Sequence, residues 1–336
     1  GAAAAVAAAC TPSPLPPLHA VSGVAQGTTY SLQWVGGASE PEIAAAAEQE
    51  LARIDALLSN YRADSTLELF NGAATTEPVE LPRELVALLE TAKRIHEASD
   101  GCFDPTVRPL VRAWGFDGDS PAIPEPAAID AARAVVGFDK LDLVDATHAR
   151  KTAAKLEIDM ASIGQGYSAG RLGDVLERGG STAYLAEIGG EVVARGAKPD
   201  GSAWRIGIEN PGAGERGGPA LRMPPEMRTA VITSGSYRHY FDADGRRFGH
   251  IIDPRSGRPV EHSLVAVTVV GADPATAAGW ATALLCLGPD AANEAAEREH
   301  LSALLWNAPE GEEPTLEQTP AFASEWSALL DEPRPR

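Results

Sequence analysis

The chain has 336 residues, 44% hydrophobic and 22% charged, with 28 Lys+Arg against 47 Asp+Glu and a formal net charge of -19. That balance excludes wholesale disorder and is long enough for a large buried core. The acid excess argues against a nucleic-acid partner, because phosphate backbones are held by clustered Lys and Arg; a phosphate-bearing ligand here needs local donors or a metal.

Residues 1–20 are rich in Ala and Pro and read as a leader and linker before a single folded unit over 21–336. The small apolar run at 2–9, then Cys10, then a Pro-rich tether, looks like the tail of a bacterial lipoprotein signal. That reading implies an exported, periplasmic protein that reaches the membrane only through an acyl chain on Cys10; an ordinary Ala/Pro leader would look the same. No run reaches the roughly 18 apolar residues of a membrane span. Cys102 and Cys286 are too few for a disulfide framework or zinc site and read as small apolar fillers.

Residues 23–34 alternate well enough for a first strand. Ser39 ahead of Pro41 and Glu42, with Ile43, Leu51, Ile54, Leu57 and Leu58 at helical spacing, predicts an N-capped amphipathic helix. Further helices fit Arg83–Ala98, stopped by Gly101, and 126–136. Residues 144–159 read as a hairpin, with Leu156, Ile158 and Met160 alternating, and 164–178 as a helix opening at a glycine-flanked turn. Strands fit 182–188 and 203–208, separated by Gly189-Gly190, and 216–227 reads as a surface loop. A strand at 229–233, a hairpin through Asp244-Gly245, a strand at 264–270 and a helix at 275–287 complete the body. Strands and helices mix without strict βαβ alternation, so the expected class is α+β, with mixed, largely antiparallel sheets packed with helices.

Four segments carry more polar and glycine punctuation than packing requires. The first is Ser59 to Ser65 around Tyr61, followed by Asn71; a lone Tyr after a helix is more often a cap packed on the core. The second is Asp100-Gly101-Cys102-Phe103-Asp104-Pro105-Thr106, where Asp-Pro alone reads as a turn. In the third, Ile158 to Tyr167, a strand runs into Gly164-Gln165-Gly166 and then a helix, an arrangement that points N–H groups at an anion. The fourth joins Thr233-Ser234-Gly235-Ser236-Tyr237 to His250-Ile251-Ile252-Asp253-Pro254; His250 by itself is as readily a satisfied core histidine as a functional one.

Together these segments resemble the FAD:protein FMN transferases, the ApbE family, from about Gly23 to Leu287. The blocks that carry the resemblance are DGCFDPTVRPLVRAWGF, IDMASIGQGYSAGRL, IGGEVVARG, WRIGIENP and TSGSYRHYF…FGHIIDPRSGRPV, in the family's order. The resemblance implies an ApbE-like fold with two interlocked subdomains. It also implies transfer of FMN from FAD to a threonine hydroxyl of a flavin-accepting subunit of a membrane redox complex, with Mg²⁺ as cofactor and AMP released. By position it implies cofactor contacts at Gln26, Tyr61, Cys102, Phe103, Asp104, Asp159, Gln165 and His250, with His250 as general base. Ser162, through its carbonyl, and Thr282 fall on Mg²⁺-ligand positions, but Ala278 stands where relatives carry an aspartate and Gly170 where they commonly carry another. Those two departures open alternatives of a flavin-binding or delivering protein with little turnover, or an FAD pyrophosphatase.

Overall fold

The computed structural model describes residues 15–118, 120–211, 218–237 and 239–332; most of the expected leader, Cys10 and the start of the expected 216–227 loop lie outside the described residues. Its frame is a sheet with strand order Leu18–Ala25, Thr28–Val35, Ala183–Ile188, Glu191–Arg195, Thr229–Gly235, Leu264–Gly271, Ser302–Asn307 and Thr315–Gln318. Every neighbouring pair is antiparallel, in line with the α+β expectation.

Helices α1 (Glu40–Leu58), α2 (Thr66–Gly72), α3 (Arg83–Ala98), α4 (Arg108–Ala113), α5 (Pro126–Val135), α6 (Ala161–Arg178), α7 (Pro274–Leu287), α8 (Pro289–Arg298) and α9 (Pro320–Glu325) surround it. Glu42 opens α1 by accepting the Ser39 N–H at 2.9 Å and the Ser39 hydroxyl at 2.6 Å. Central strands bury both faces, as alternation requires. Val193 and Ile232 face the core shared with α1, α3, α6 and α7, while their neighbours Val192 and Val231 face Trp204, Leu221 and Phe322. Helix α7 is apolar on all sides and runs through the larger core. A third cluster, with Trp114, Phe116, Ile129, Phe248 and Ile252, anchors the hairpin Tyr240–Ala243/Arg246–Gly249 on α4 and α5.

The structure corrects several expectations. The first strand is a hairpin that begins at Leu18, inside the expected linker, and turns at Gln26 (φ 52°) and Gly27 (φ 74°). Gln is a rare occupant of that left-handed conformation, so the sequence carries no turn signal there. The middle hairpin pairs Leu141–Asp145 with His148–Lys151, and the alternating residues 156–160 are not a strand. They are held by a side chain instead: Asn71 accepts the Ile158 N–H at 2.8 Å and donates to its carbonyl at 2.9 Å. Glu191–Arg195 is a strand that periodicity missed, because Val192-Val193-Ala194 is apolar without alternation. Gly164 and Gly166 lie inside α6, not in a turn ahead of it, so their N–H groups serve the helix rather than an anion. Gly166 is there for packing: a Cβ on it would meet the Pro274 carbonyl oxygen at 2.4 Å and the Ala278 Cβ at 2.7 Å. Cys102 and Cys286 are not free fillers but a disulfide across a sequence separation of 184, with Cα atoms 5.8 Å apart. Sequence distance hides such a pair, since only the fold brings the two residues together.

Candidate functional site

Three pieces of chain distant in sequence meet around a cavity of about 700 Å³. They are the hairpin turn at Gln26 and Gly27, the end of α1 with the following residues through Arg62, and the stretch from Asp159 into the first turns of α6. Such a volume suits a drug- or nucleotide-sized ligand. Among the expected cofactor contacts, Gln26, Tyr61, Asp159 and Gln165 line it.

The wall is pinned from behind. Ser65 caps α2 by accepting the Glu68 N–H at 3.0 Å and donates to the Ser59 carbonyl at 2.6 Å. Arg108 donates to the Asn60 carbonyl at 3.1 Å, and Asn60 donates to the Ile158 carbonyl at 3.2 Å. Tyr61 nevertheless stands 91% exposed on this fixed loop. An aromatic ring held in water beside a cavity is the reverse of the core-packed cap expected for a lone Tyr, and it presents a stacking surface. Ser168 of α6 donates to the Gln26 side-chain oxygen at 2.9 Å, holding that residue at the rim. Asp159 accepts the Ala161 N–H at 2.7 Å at the start of α6; loss of water raises its carboxyl above the ordinary range, against the pull of that bond.

The other expected positions lie elsewhere. Cys102, Phe103 and Asp104 are all buried, the first in its disulfide and the second in the large core. Asp104 accepts from the Thr106 N–H at 2.8 Å, the Thr106 hydroxyl at 2.6 Å and the Phe138 N–H at 3.1 Å. These side chains are committed to the fold and are not among those lining the cavity. The stretch still touches the site through its backbone, where the Pro105 carbonyl accepts the Asp159 N–H at 2.6 Å.

His250 is half-buried beside the aromatic cluster and is not among the residues lining the cavity. Its ring centroid is 5.1 Å from that of His239 and 6.4 Å from that of Phe116. Nδ1 lies 3.1 Å from the His239 carbonyl, which can only accept, so Nδ1 carries the proton and Nε2 is left as the base. Desolvation first, then the charge of His239, lower its pKa to about 4, so the ring is neutral at pH 7.

At the expected metal position, the Thr282 hydroxyl is 3.0 Å from that of Ser234, and Ala278 turns its methyl into the seam with Gly166. Ser162 is exposed in the first turn of α6. Among the described residues, the cluster of three metal-ligand side chains is Cys102, Asp253 and Cys286, and its sulfurs are already bonded to one another. A carbonyl and a hydroxyl without a carboxylate are a poor set for a hard cation, so the residues present do not fit the Mg²⁺ site that the resemblance implies.

Glu191, which sequence reasoning passed over, is 8% exposed and accepts the Thr233 N–H at 3.1 Å, next to Ser234. Burial pushes its carboxyl up from 4.5 to about 8. A raised acid is protonated in the fold but ionised in the unfolded chain between those values. Stability should therefore be fully present below pH 4.5 and fall on the way up to about 8, by at most about 1.4 kcal/mol per pH unit. Urea unfolding of wild type and Glu191→Gln at pH 5 and pH 8 checks this: the variant should flatten the difference, and equal slopes would refute it.

The family model described as the ApbE family matches residues 26–305. The chain is 36% identical over 298 residues to an FAD:protein FMN transferase of Salmonella typhimurium, covering 86% of this chain and 84% of that protein. Among solved structures, it is similar to the apo form of the Pseudomonas stutzeri flavinyl transferase ApbE, with a TM-score of 0.84, 35% identity and coverage of 94% and 98%. The flavin transferase ApbE from Vibrio cholerae matches with a TM-score of 0.82, 31% identity and coverage of 92% and 99%.

Proposed function

Since this chain belongs to the ApbE family, we propose that it transfers FMN from FAD to a hydroxyl of an acceptor protein. The observation that carries this reading is the convergence of Gln26, Tyr61, Asp159 and Gln165, from three separate parts of the sequence, on one cavity. The cavity takes FAD, with Tyr61 stacked on a ring system and Asp159 and Gln165 supplying hydrogen bonds. Truncating Tyr61 to Ala should weaken FAD binding by up to about tenfold, since an aromatic stack contributes roughly 0.5–1.5 kcal/mol. The rate at saturating FAD should change little. Fluorescence titration with FAD reads the first quantity, and an unchanged Kd would remove Tyr61 from the site.

In the reaction an acceptor threonine oxygen attacks the phosphorus of the FMN half of FAD, the pyrophosphate bond breaks and AMP leaves. Positioning and charge neutralisation dominate such transfers. His250 Nε2 takes the hydroxyl proton. Its depressed pKa keeps it neutral and ready, and the anionic pyrophosphate of bound substrate raises its basicity toward the working range. The acid of the expected Mg²⁺ set is Ala278 here, so Ser162 and Thr282 contribute neutral oxygens at most. Incubation with FAD, divalent cation and an acceptor domain tests the reading: covalent in-gel flavin fluorescence on the acceptor is expected, and its absence sinks it.

Ala278 favours a second reading, a flavin-binding or delivering protein with little turnover. Free FMN and AMP without labelled acceptor would instead mark a pyrophosphatase. The acceptor we assign is a subunit of a membrane redox complex, and the protein acts outside the cytoplasm, with Cys10 as the site of an acyl anchor. The Cys102–Cys286 disulfide supports export, because such bonds persist in oxidising compartments.

A further inference from the structure

The cavity and His250 are separate places, and one piece of chain spans them. At one end, the Pro105 carbonyl holds the Asp159 N–H of the cavity wall at 2.6 Å. At the other, Cys102 is bonded to Cys286 in the last turn of α7, one helical turn beyond Thr282. Asp253, close after His250 in sequence, brings a carboxylate oxygen within 4.8 Å of both sulfurs. Arg255 fixes that carboxylate through two bonds of 2.9 Å. Asp100 and Gly101, just before the cysteine, hold φ values of 51° and 77°. A non-glycine residue keeps that conformation only where its surroundings hold it. Two further side-chain ties on 255–257 come from outside α7, from Arg133 of α5 to the Arg255 carbonyl and from Trp114 to the Gly257 carbonyl, each 2.9 Å.

We propose that the Cys102–Cys286 disulfide is a positioning element for flavin transfer: it locks the 100–106 loop, and the His250–Asp253 segment resting on it, against the helix that carries Thr282. The proposal rests on the transfer reading above. The bond forms by exchange with an oxidised dithiol, two cysteine thiols passing two electrons and two protons to it, so the active form is one that has met a thiol oxidant.

The test compares the oxidised full chain with the chain reduced by a small dithiol, below its melting temperature, and with the double variant Cys102→Ser/Cys286→Ser. Three quantities are read: FAD affinity, transfer rate, and the titration of His250 by NMR. Expected on reduction are FAD affinity within about twofold and a transfer rate at least about tenfold lower. The His250 midpoint should climb from about 4 toward 6.5 as the ring gains water. Its titratable neighbour is His239, and Asp253 and Arg255 are the charged pair on its own segment; Phe116 on the facing element is apolar. An unchanged rate and midpoint overturn the proposal, as does loss of FAD affinity in step with the rate, which marks general loosening. A midpoint that moves in a protein with no transfer in either state upholds the tie and counts against the transfer reading instead.

Discussion

Replacing His250 with Ala is expected to lower the rate of flavin transfer by about 10²–10⁴-fold, the usual contribution of a positioned general base. FAD affinity should fall far less than the rate, because Gln26, Tyr61, Asp159 and Gln165 make the cavity wall. The split follows from the geometry: the His239 carbonyl fixes the tautomer, and burial, then the charge of His239, keeps the imidazole neutral. A base must be unprotonated to act, so the acid limb of kcat/KM, which reports the free enzyme, should lie well below the ordinary histidine range. Initial rates of covalent flavin fluorescence at saturating FAD measure the loss. A variant within about threefold of wild type would take the base role away from His250.

The second large effect concerns Ala278→Asp. Position 278 is 3% exposed and faces Gly166, whose absent Cβ leaves room for its methyl. A carboxylate placed there without a partner is an uncompensated buried charge and should cost about 3–5 kcal/mol. Millimolar Mg²⁺ should recover much of that loss, since the new acid joins Thr282 and completes a hard-cation set. Wild-type stability should be insensitive to the same ion. Transfer by the variant should rise with Mg²⁺ more steeply than in wild type. Thermal unfolding of both proteins with and without Mg²⁺ decides the matter; a variant whose Tm ignores the ion would show that position 278 does not face a cation site. A wild-type protein already as fast as the variant would remove the argument for a weakened site.

Much of the frame was legible along the chain, for local reasons. The Ser39/Glu42 cap, the apolar stripe of Arg83–Ala98 and the Asp244-Gly245 turn each announce themselves within a few residues. Tyr61, Asp159, Gln165 and Gln26 were legible only through ordered family blocks, since nothing in the composition around Tyr61 separates an exposed stacking ring from a buried cap. Where local rules were applied alone they failed in understandable ways. Gly164 and Gly166 read as an anion-binding turn, yet at Gly166 it is close helix packing that requires the residue a tight turn would also select. Residues 156–160 read as a strand because Leu156, Ile158 and Met160 alternate, whereas in the fold the backbone groups of Ile158 pair with the Asn71 side chain.

By itself, the sequence determined the class of fold, the family and the absence of an acid at 278, because caps, turns, periodicity and motif order are properties of neighbours in the chain. Only the tertiary structure decided that Cys102 pairs with Cys286 and that Phe103 and Asp104 turn inward. It also decided that Tyr61 is exposed beside a cavity lined by Gln26, and that a buried Glu191 accepts from Thr233, next to Ser234. Those facts depend on contacts between residues tens to hundreds of positions apart. The net charge of -19 follows the same division. It says how the surface meets other molecules, whereas the hold on a pyrophosphate depends on which few groups the fold gathers, and at 278 it gathers a methyl.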